Sequence, residues 1–173
     1  MHRGLASFRS TALGVRRPSP SVPLLRPESP ANFVGFGCPV LSPVAGTVAA
    51  SHDTERDHLS YRGVPSIGYS LTQARRVRSA WLALAGNHVM IRCVGGVVAL
   101  CHLQHLSSRV RAGQHIEIGD EIGRCGNSGN STEPHLHVQA TDRVDIDDAV
   151  AARIAFRGVL PSNGSIISGG TLE

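Results

Sequence analysis

Between residues 38 and 140 the apolar positions fall in short runs broken by glycine and proline. That pattern predicts short β-strands rather than long helices. "CPVLSPVAGTVAASH" (38–52) reads as two strands with a turn between them, and "GNHVMIRCVGGVVALCHLQ" (86–104) as a hairpin. "RAGQHIEIGDEIGRC" (111–125) alternates glycine turns with short β-runs, "HLHVQA" (135–140) is a strand, and "RIAFRGV" (153–159) is expected to be another. A two-residue Gly95–Gly96 turn would pair residue 93 with 98, 90 with 101 and 89 with 102. His102 would then share a face with Val89, Ile91, Cys93, Val98 and Leu100, while His88 lies on the other face.

One stretch departs from this pattern. After the polar loop "DTERDHLSYRGVPSIGYS", the residues Leu71, Ala74, Val77, Trp81 and Leu84 recur at steps of three and four, with Ser70 as N-cap. This predicts a helix over 71–84 inside an insertion, 53–85. "PVAGTV" and "RAGQHIEIGDEIG" resemble each other as glycine turns between β-runs. The expected fold is therefore all-β: an antiparallel sandwich or barrel-like core of two glycine-punctuated halves, with one inserted helix. The domain is expected over 33–160. Residues 1–32, rich in Arg, Ser and Pro with no acid before Glu28, read as a disordered leader without a signal-peptide core, and 161–173 as a flexible tail.

A chain of 173 residues suits one domain. No apolar run approaches the ~20 residues of a membrane span. There is no lysine, and the net charge of +4 is spread over arginines with small clusters at Arg75, Arg76, Arg78 and at Arg109, Arg111. These clusters read as solvated faces, and no nucleic-acid reader motif accompanies them. Cys38, Cys93, Cys101 and Cys125 form no C-x-x-C pair. Cys93 and Cys101 would not be opposite each other in the hairpin, so the cysteines read as small hydrophobes.

The candidate chemistry lies in the histidines. His135 and His137 follow "GNSGNSTEP", and positions i and i+2 of a strand share a face. One imidazole can then hold a metal while the other reaches a water or substrate on it. Glycines in the preceding run would let backbone approach a ligand closely. His102 on its apolar face has both a core and a functional reading. His88, His105 and His115 read as surface or loop residues.

Residues 86–139 resemble the core of the lysostaphin-type, LytM-like zinc metallopeptidases. A Gly-Asn opens the hairpin and His102-Leu103 follows it. Val110 to Gly123 fits "V-x-x-G-x-x-(V/I)-x-x-G-(D/Q)-x-(I/L)-G", and a G-x-(S/T)-G-x-(S/T) loop ends in P-H-L-H. "FGCPVLSPVAGTVAA" matches the preceding strand of that family. Glu133 and Gln139 stand where Gly and Glu are common. The resemblance implies that His137 is a zinc ligand and that His102 and His135 orient the attacking water and steady the oxyanion. It implies peptide bonds of bacterial cell-wall peptidoglycan as substrates, and a place outside the membrane. Zinc chemistry and near-neutral imidazoles suit such hydrolysis.

The family's two further ligands, a His and an Asp spaced H-x-x-x-D, are not found before Cys38: His2 is followed four places on by Ala6. On that count the chain reads as truncated or inactive, with zinc weakly held or absent. The alternative is a non-catalytic relative that binds peptidoglycan or a protein. His52, Asp53, Asp57 and His58 are of the right types to replace the ligands, but read as a solvated, salt-bridged loop. A biotinyl or lipoyl carrier shares the half-repeats but needs a lysine. A sugar-phosphotransferase IIA domain shares the glycine-punctuated architecture but fits the P-H-L-H string poorly.

Overall fold

The computed structural model describes residues 7–10, 27–61, 81–146 and 148–154. Its elements are β1 (Ser7–Ser10), a 3-10 turn (Pro30–Asn32), β2 (Pro39–Leu41), β3 (Gly46–His52), α1 (Trp81–Ala85), β4 (His88–Cys93), β5 (Gly96–Cys101), β6 (His115–Ile116), β7 (Glu121–Arg124) and β8 (Leu136–Thr141). The fold is all-β and antiparallel, with very little helix. A six-stranded sheet runs in the order β1-β8-β5-β4-β3-β6, and β2 pairs with β7 in a separate ribbon.

The two glycine-punctuated halves lie against each other. β2 of the first pairs with β7 of the second, and β3 with β6. At Gly46 a Cβ would lie 2.2 Å from the Arg92 carbonyl oxygen, so only glycine lets β3 start beside the end of β4.

β4 and β5 are covered on both faces, which is why their sequences run apolar with little alternation. On one face Val48, Val89, Ile91, Val98, Leu100 and Val138 pack with Val40 and Ile122 of the ribbon. On the other, Met90, Val97, Ala99 and Cys101 pack with Ala85, and Trp81 covers them. The hairpin register differs from the expected one by two residues. Cys93 pairs with Gly96, Ile91 with Val98 and His88 with Cys101, so the turn is Val94–Gly95. Gly95, at φ +95°, takes the left-handed turn position. Gly96 belongs to the strand, where a Cβ would lie 2.3 Å from the Thr141 carbonyl oxygen. A two-residue slip keeps every side chain on its expected face. Cys93 and Cys101 are not opposite each other in this register either.

Most of the helix expected at 71–84 lies outside the described residues, and α1 overlaps its C-terminal end. The strand expected at 153–159 does not begin as one. Arg153 and Ile154 have no regular structure, an isolated bridge ties Ala151 to Thr141, and the rest lies outside the described residues. The tail at 161–173 lies outside them as well. β1, from the stretch read as a leader, pairs with the outer edge of β8. No described helix is long and apolar enough to cross a membrane.

Candidate active site

Three histidines meet where β5 ends and β8 begins. His137 lies in β8 opposite Cys101, and His135 immediately precedes the strand. His102 follows the last residue of β5 and adopts a left-handed backbone, φ +63°. The expected continuation of the strand through His102 opposite Val89 is therefore corrected. Its N–H instead donates to Ala85 (2.9 Å), and the next N–H, of Leu103, donates to Asn87 (2.9 Å). A non-glycine residue in this conformation stores strain and needs surrounding contacts to hold it.

The rings of His102 and His135 lie 4.8 Å apart between centroids, and those of His102 and His137 5.8 Å. One candidate ligand atom on each of the three lies within 4.8 Å of those on the others. His102 and His135 are buried, and His137 is half-buried. His102 Nδ1–H donates to the Ser128 carbonyl at 2.9 Å, and His135 Nδ1–H to the Glu133 carbonyl at 2.8 Å. Ser131 Oγ lies 3.2 Å from the same His135 nitrogen and donates to the same carbonyl (2.7 Å). A ring that gives its Nδ1 proton to a carbonyl carries its lone pair on Nε2, the state that ligates a metal or accepts a proton.

The loop that supplies these carbonyls, 126–134, is held by buried polar groups. Asn127, Ser128 and Ser131 are fully buried. Ser128 Oγ donates to the Leu103 carbonyl (2.8 Å) and accepts the Asn87 N–H (3.0 Å). Asn87 Nδ2 donates to the carbonyls of Glu55 (2.7 Å) and Leu103 (3.2 Å), and its Oδ1 accepts the Glu55 N–H. Two glycines here serve close backbone packing. A Cβ on Gly129, at φ +67°, would lie 2.4 Å from the Gly86 nitrogen, and one on Gly126 would lie 2.4 Å from Gln104.

The four residues weighed as replacement ligands sit elsewhere. Asp53 accepts the N–H groups of Ser107 and Ser108 (3.0 and 3.2 Å), and Asp57 those of Asn127 and His105. His58 Nε2–H donates to the Gly129 carbonyl (3.0 Å), and the His52 ring stacks on His88. Among the described residues none of the four joins the histidine cluster. The loop 53–61 is thus not a solvated, salt-bridged face but a strap hydrogen-bonded along the site loop.

His88 is corrected as well. It is not a surface residue but 2% exposed on the opposite face, edge-on to Trp81 at 4.9 Å. Burial pushes its pKa below the ordinary histidine value, with His52 acting the same way and the Gly86 hydrogen bond against it. His105 is a half-buried loop residue whose ring contacts the Glu55 carbonyl (3.1 Å), and His115 is exposed on β6. Ser128, Ser131 and Asn87 were missed in the sequence, and Asp57 was weighed there only as a metal ligand. The "GN" before the hairpin and the serines of the loop were visible, but the carbonyls they serve are tertiary neighbours.

A zinc ion with ligands at 2.0–2.1 Å sets tetrahedral donors about 3.4 Å apart. The candidate nitrogens lie within 4.8 Å of one another, and the two fixed Nδ1 tautomers leave Nε2 as the ligating atom. The three imidazoles form a group of the right donor type for a divalent ion, His137 being the expected ligand and His102 and His135 its neighbours.

Residues 69–148 match the profile of Peptidase family M23. Over 55 residues, 32% of this chain and 12% of the relative, the chain is 46% identical to the DD-carboxypeptidase/endopeptidase Mpg of Neisseria meningitidis. It is 36% identical over 78 residues to the peptidoglycan DD-endopeptidase ShyA of Vibrio cholerae, covering 44% of this chain and 18% of that one. An uncharacterized metalloprotease of Haemophilus influenzae matches at 28% over 131 residues, 75% of this chain and 22% of its own length. The chain thus spans at most 22% of these three relatives. Among solved structures, the catalytic domain of lysostaphin from Staphylococcus simulans aligns at 20% identity and TM-score 0.45, over 69% of this chain and 71% of that one. The catalytic domain of EnpA from Enterococcus faecalis aligns at 18% and 0.42, over 82% and 85%.

Proposed function

From the match of residues 69–148 to peptidase family M23, we propose that the chain is a metallopeptidase domain of that family acting on peptide bonds of bacterial peptidoglycan. The observation that carries this reading is the convergence of His102, His135 and His137, with ligand atoms within 4.8 Å of one another. The names of Mpg and ShyA support the substrate class.

His137 would hold zinc, with His102 and His135 beside it. Bound zinc supplies a Lewis acid that polarises the scissile carbonyl and lowers the pKa of bound water toward ~7. The chain's own residues do the rest. His135, its Nδ1 proton fixed on the Glu133 carbonyl, presents a basic Nε2 able to take a proton from the attacking water. His102, oriented the same way by Ser128, is placed to receive that proton or, once protonated, to steady the negative oxygen of the tetrahedral adduct. Burial of both rings keeps bulk water from competing for these hydrogen bonds.

A second reading, a non-catalytic peptidoglycan-binding relative, is favoured by one observation. The strand that pairs with β8 beside the site, Ser7–Ser10, is "SFRS", with Arg9 opposite His137 and no imidazole or carboxylate. The test is the purified chain against purified peptidoglycan, with and without zinc and chelator, together with calorimetric zinc titration. Chelator-sensitive release of peptide ends, lost in His135→Ala, supports hydrolysis. Peptidoglycan retention without new peptide ends supports the binding domain.

A further inference from the structure

The β2–β7 ribbon pairs Pro39 with Arg124 and Val40 with Gly123, so the next pair outward is Cys38 and Cys125. The backbone brings the two together across a bulge: Cys125 N–H donates to the Cys38 carbonyl at 2.9 Å, and the Cys125 carbonyl accepts the Gly37 N–H at 2.8 Å, so that Gly37, at φ +76°, and Cys38 together oppose Cys125. Residues directly opposite in an antiparallel pair have Cα atoms roughly 4.5–5.5 Å apart and side chains on one face. A disulfide accepts Cα separations of about 4.4–6.8 Å. Neither of the other thiols has a cysteine opposite it: Cys93 faces Gly96, and Cys101 faces His88 and His137. Cys101 also lies on the far face of the sheet, in a different apolar cluster from Cys125.

We propose that Cys38 and Cys125, both free thiols here, are a redox pair that closes into a cross-strand disulfide in an oxidising environment. The two sulfurs divide the chemistry. Cys38 is exposed, its Sγ–H resting on the Val34 carbonyl at 3.2 Å, and it is the thiol an external oxidant reaches. Cys125 is buried, and burial first, then Cys38 and Asp57, push its thiol up to about 12. With a low-molecular-weight disulfide as oxidant, the Cys38 thiolate attacks one of its sulfurs and expels one thiolate. Cys125 then gives up its proton and displaces the second thiolate from the Cys38 sulfur. One external disulfide is reduced to two thiols as the two protein thiols are oxidised, and the two protons pass to the leaving thiolates. The second step is the slow one and quickens as pH rises, because little of Cys125 is thiolate at neutral pH.

The position gives the bond a consequence. Cys125 precedes Gly126, whose N–H donates to the His102 carbonyl at 3.0 Å. A covalent link there ties the root of the loop 126–134 to the 33–41 segment, independently of the peptidase reading.

The full chain is incubated with glutathione disulfide at pH 8, then alkylated and digested without reduction for mass spectrometry. The expected result is loss of two of the four thiols, a Cys38–Cys125 linked peptide, and a thermal midpoint raised by roughly 5–10 °C and returned by dithiothreitol. Cys38→Ser, an exposed change that leaves the core intact, abolishes the link and the shift, whereas Cys93→Ser keeps both. Four thiols still titratable, a link between another pair, or Cys38 remaining as its glutathione adduct would each overturn the proposal.

Discussion

Asp57 holds Asn127 and His105 at once: one carboxylate oxygen accepts the Asn127 N–H, the other the His105 N–H at 3.0 Å. The loop after β5 and the loop before β8 are thereby fixed to the same strap. Asp57→Ala leaves both N–H groups without that acceptor and should cost roughly 2–4 kcal/mol. Asp57→Asn, keeping one acceptor oxygen, should recover part of it. Urea denaturation of the three proteins reads the difference, and equal midpoints would show that the strap does not anchor the loops.

Gly129→Ala should be more damaging than its size implies. The added methyl would sit 2.4 Å from the Gly86 nitrogen, at a φ of +67° that alanine rarely adopts. We expect a loss of at least about 2 kcal/mol in unfolding free energy. A neutral substitution would mean that the two loops are not in contact.

His102 offers a cleaner contrast. Both His102→Ala and His102→Gly remove the ring and its hydrogen bond to Ser128. Only glycine relieves the left-handed backbone at φ +63°. The glycine variant should be more stable than the alanine variant by about 1 kcal/mol, and both should be inactive on peptidoglycan. An alanine variant as stable as the glycine one would remove the case for strain.

His88 should make stability depend on pH. Its folded pKa is depressed, so the unfolded chain binds its proton more readily. Stability is therefore complete above the ordinary value of 6.5 and declines as pH falls below it toward the folded pKa. His88→Asn retains an amide near the Nδ1 position, which donates to the Gly86 carbonyl at 2.7 Å, and lacks the titration. The thermal midpoint of the unaltered chain should fall more between pH 7.5 and pH 5 than that of the variant. Parallel curves would assign the dependence to other groups.

The strands of the core were legible because glycine, proline and β-branched residues mark them locally, and the faces of β4 and β5 survived an error in register because the error was even. The register itself was not legible: "GG" reads as one turn, yet Gly95 serves the turn while Gly96 serves an approach to Thr141, three strands later in chain order. His135 and His137 were visible as a pair through the period of a strand. For His102 the hairpin left a core and a functional reading open, and only the resemblance chose between them; its left-handed backbone, with N–H groups turned to Ala85 and Asn87, was not legible. The roles of Asp53 and Asp57 were hidden because carboxylates on a polar stretch look solvated until the backbone N–H groups they accept are known.

The strap has a kinetic side. Its hydrogen bonds join residues far apart in sequence, 70 positions from Asp57 to Asn127 and 71 from His58 to Gly129, whereas the β4–β5 hairpin closes within a few residues. Contacts that close long loops form late when folding is nucleated by local ones. On that ordering the strap contributes little to the transition state, so Asp57→Ala would act mainly by quickening unfolding, with the refolding rate nearly unchanged. The histidine centre would be the last part of the domain to assemble and the first to come apart, while the hairpin beneath it stays intact.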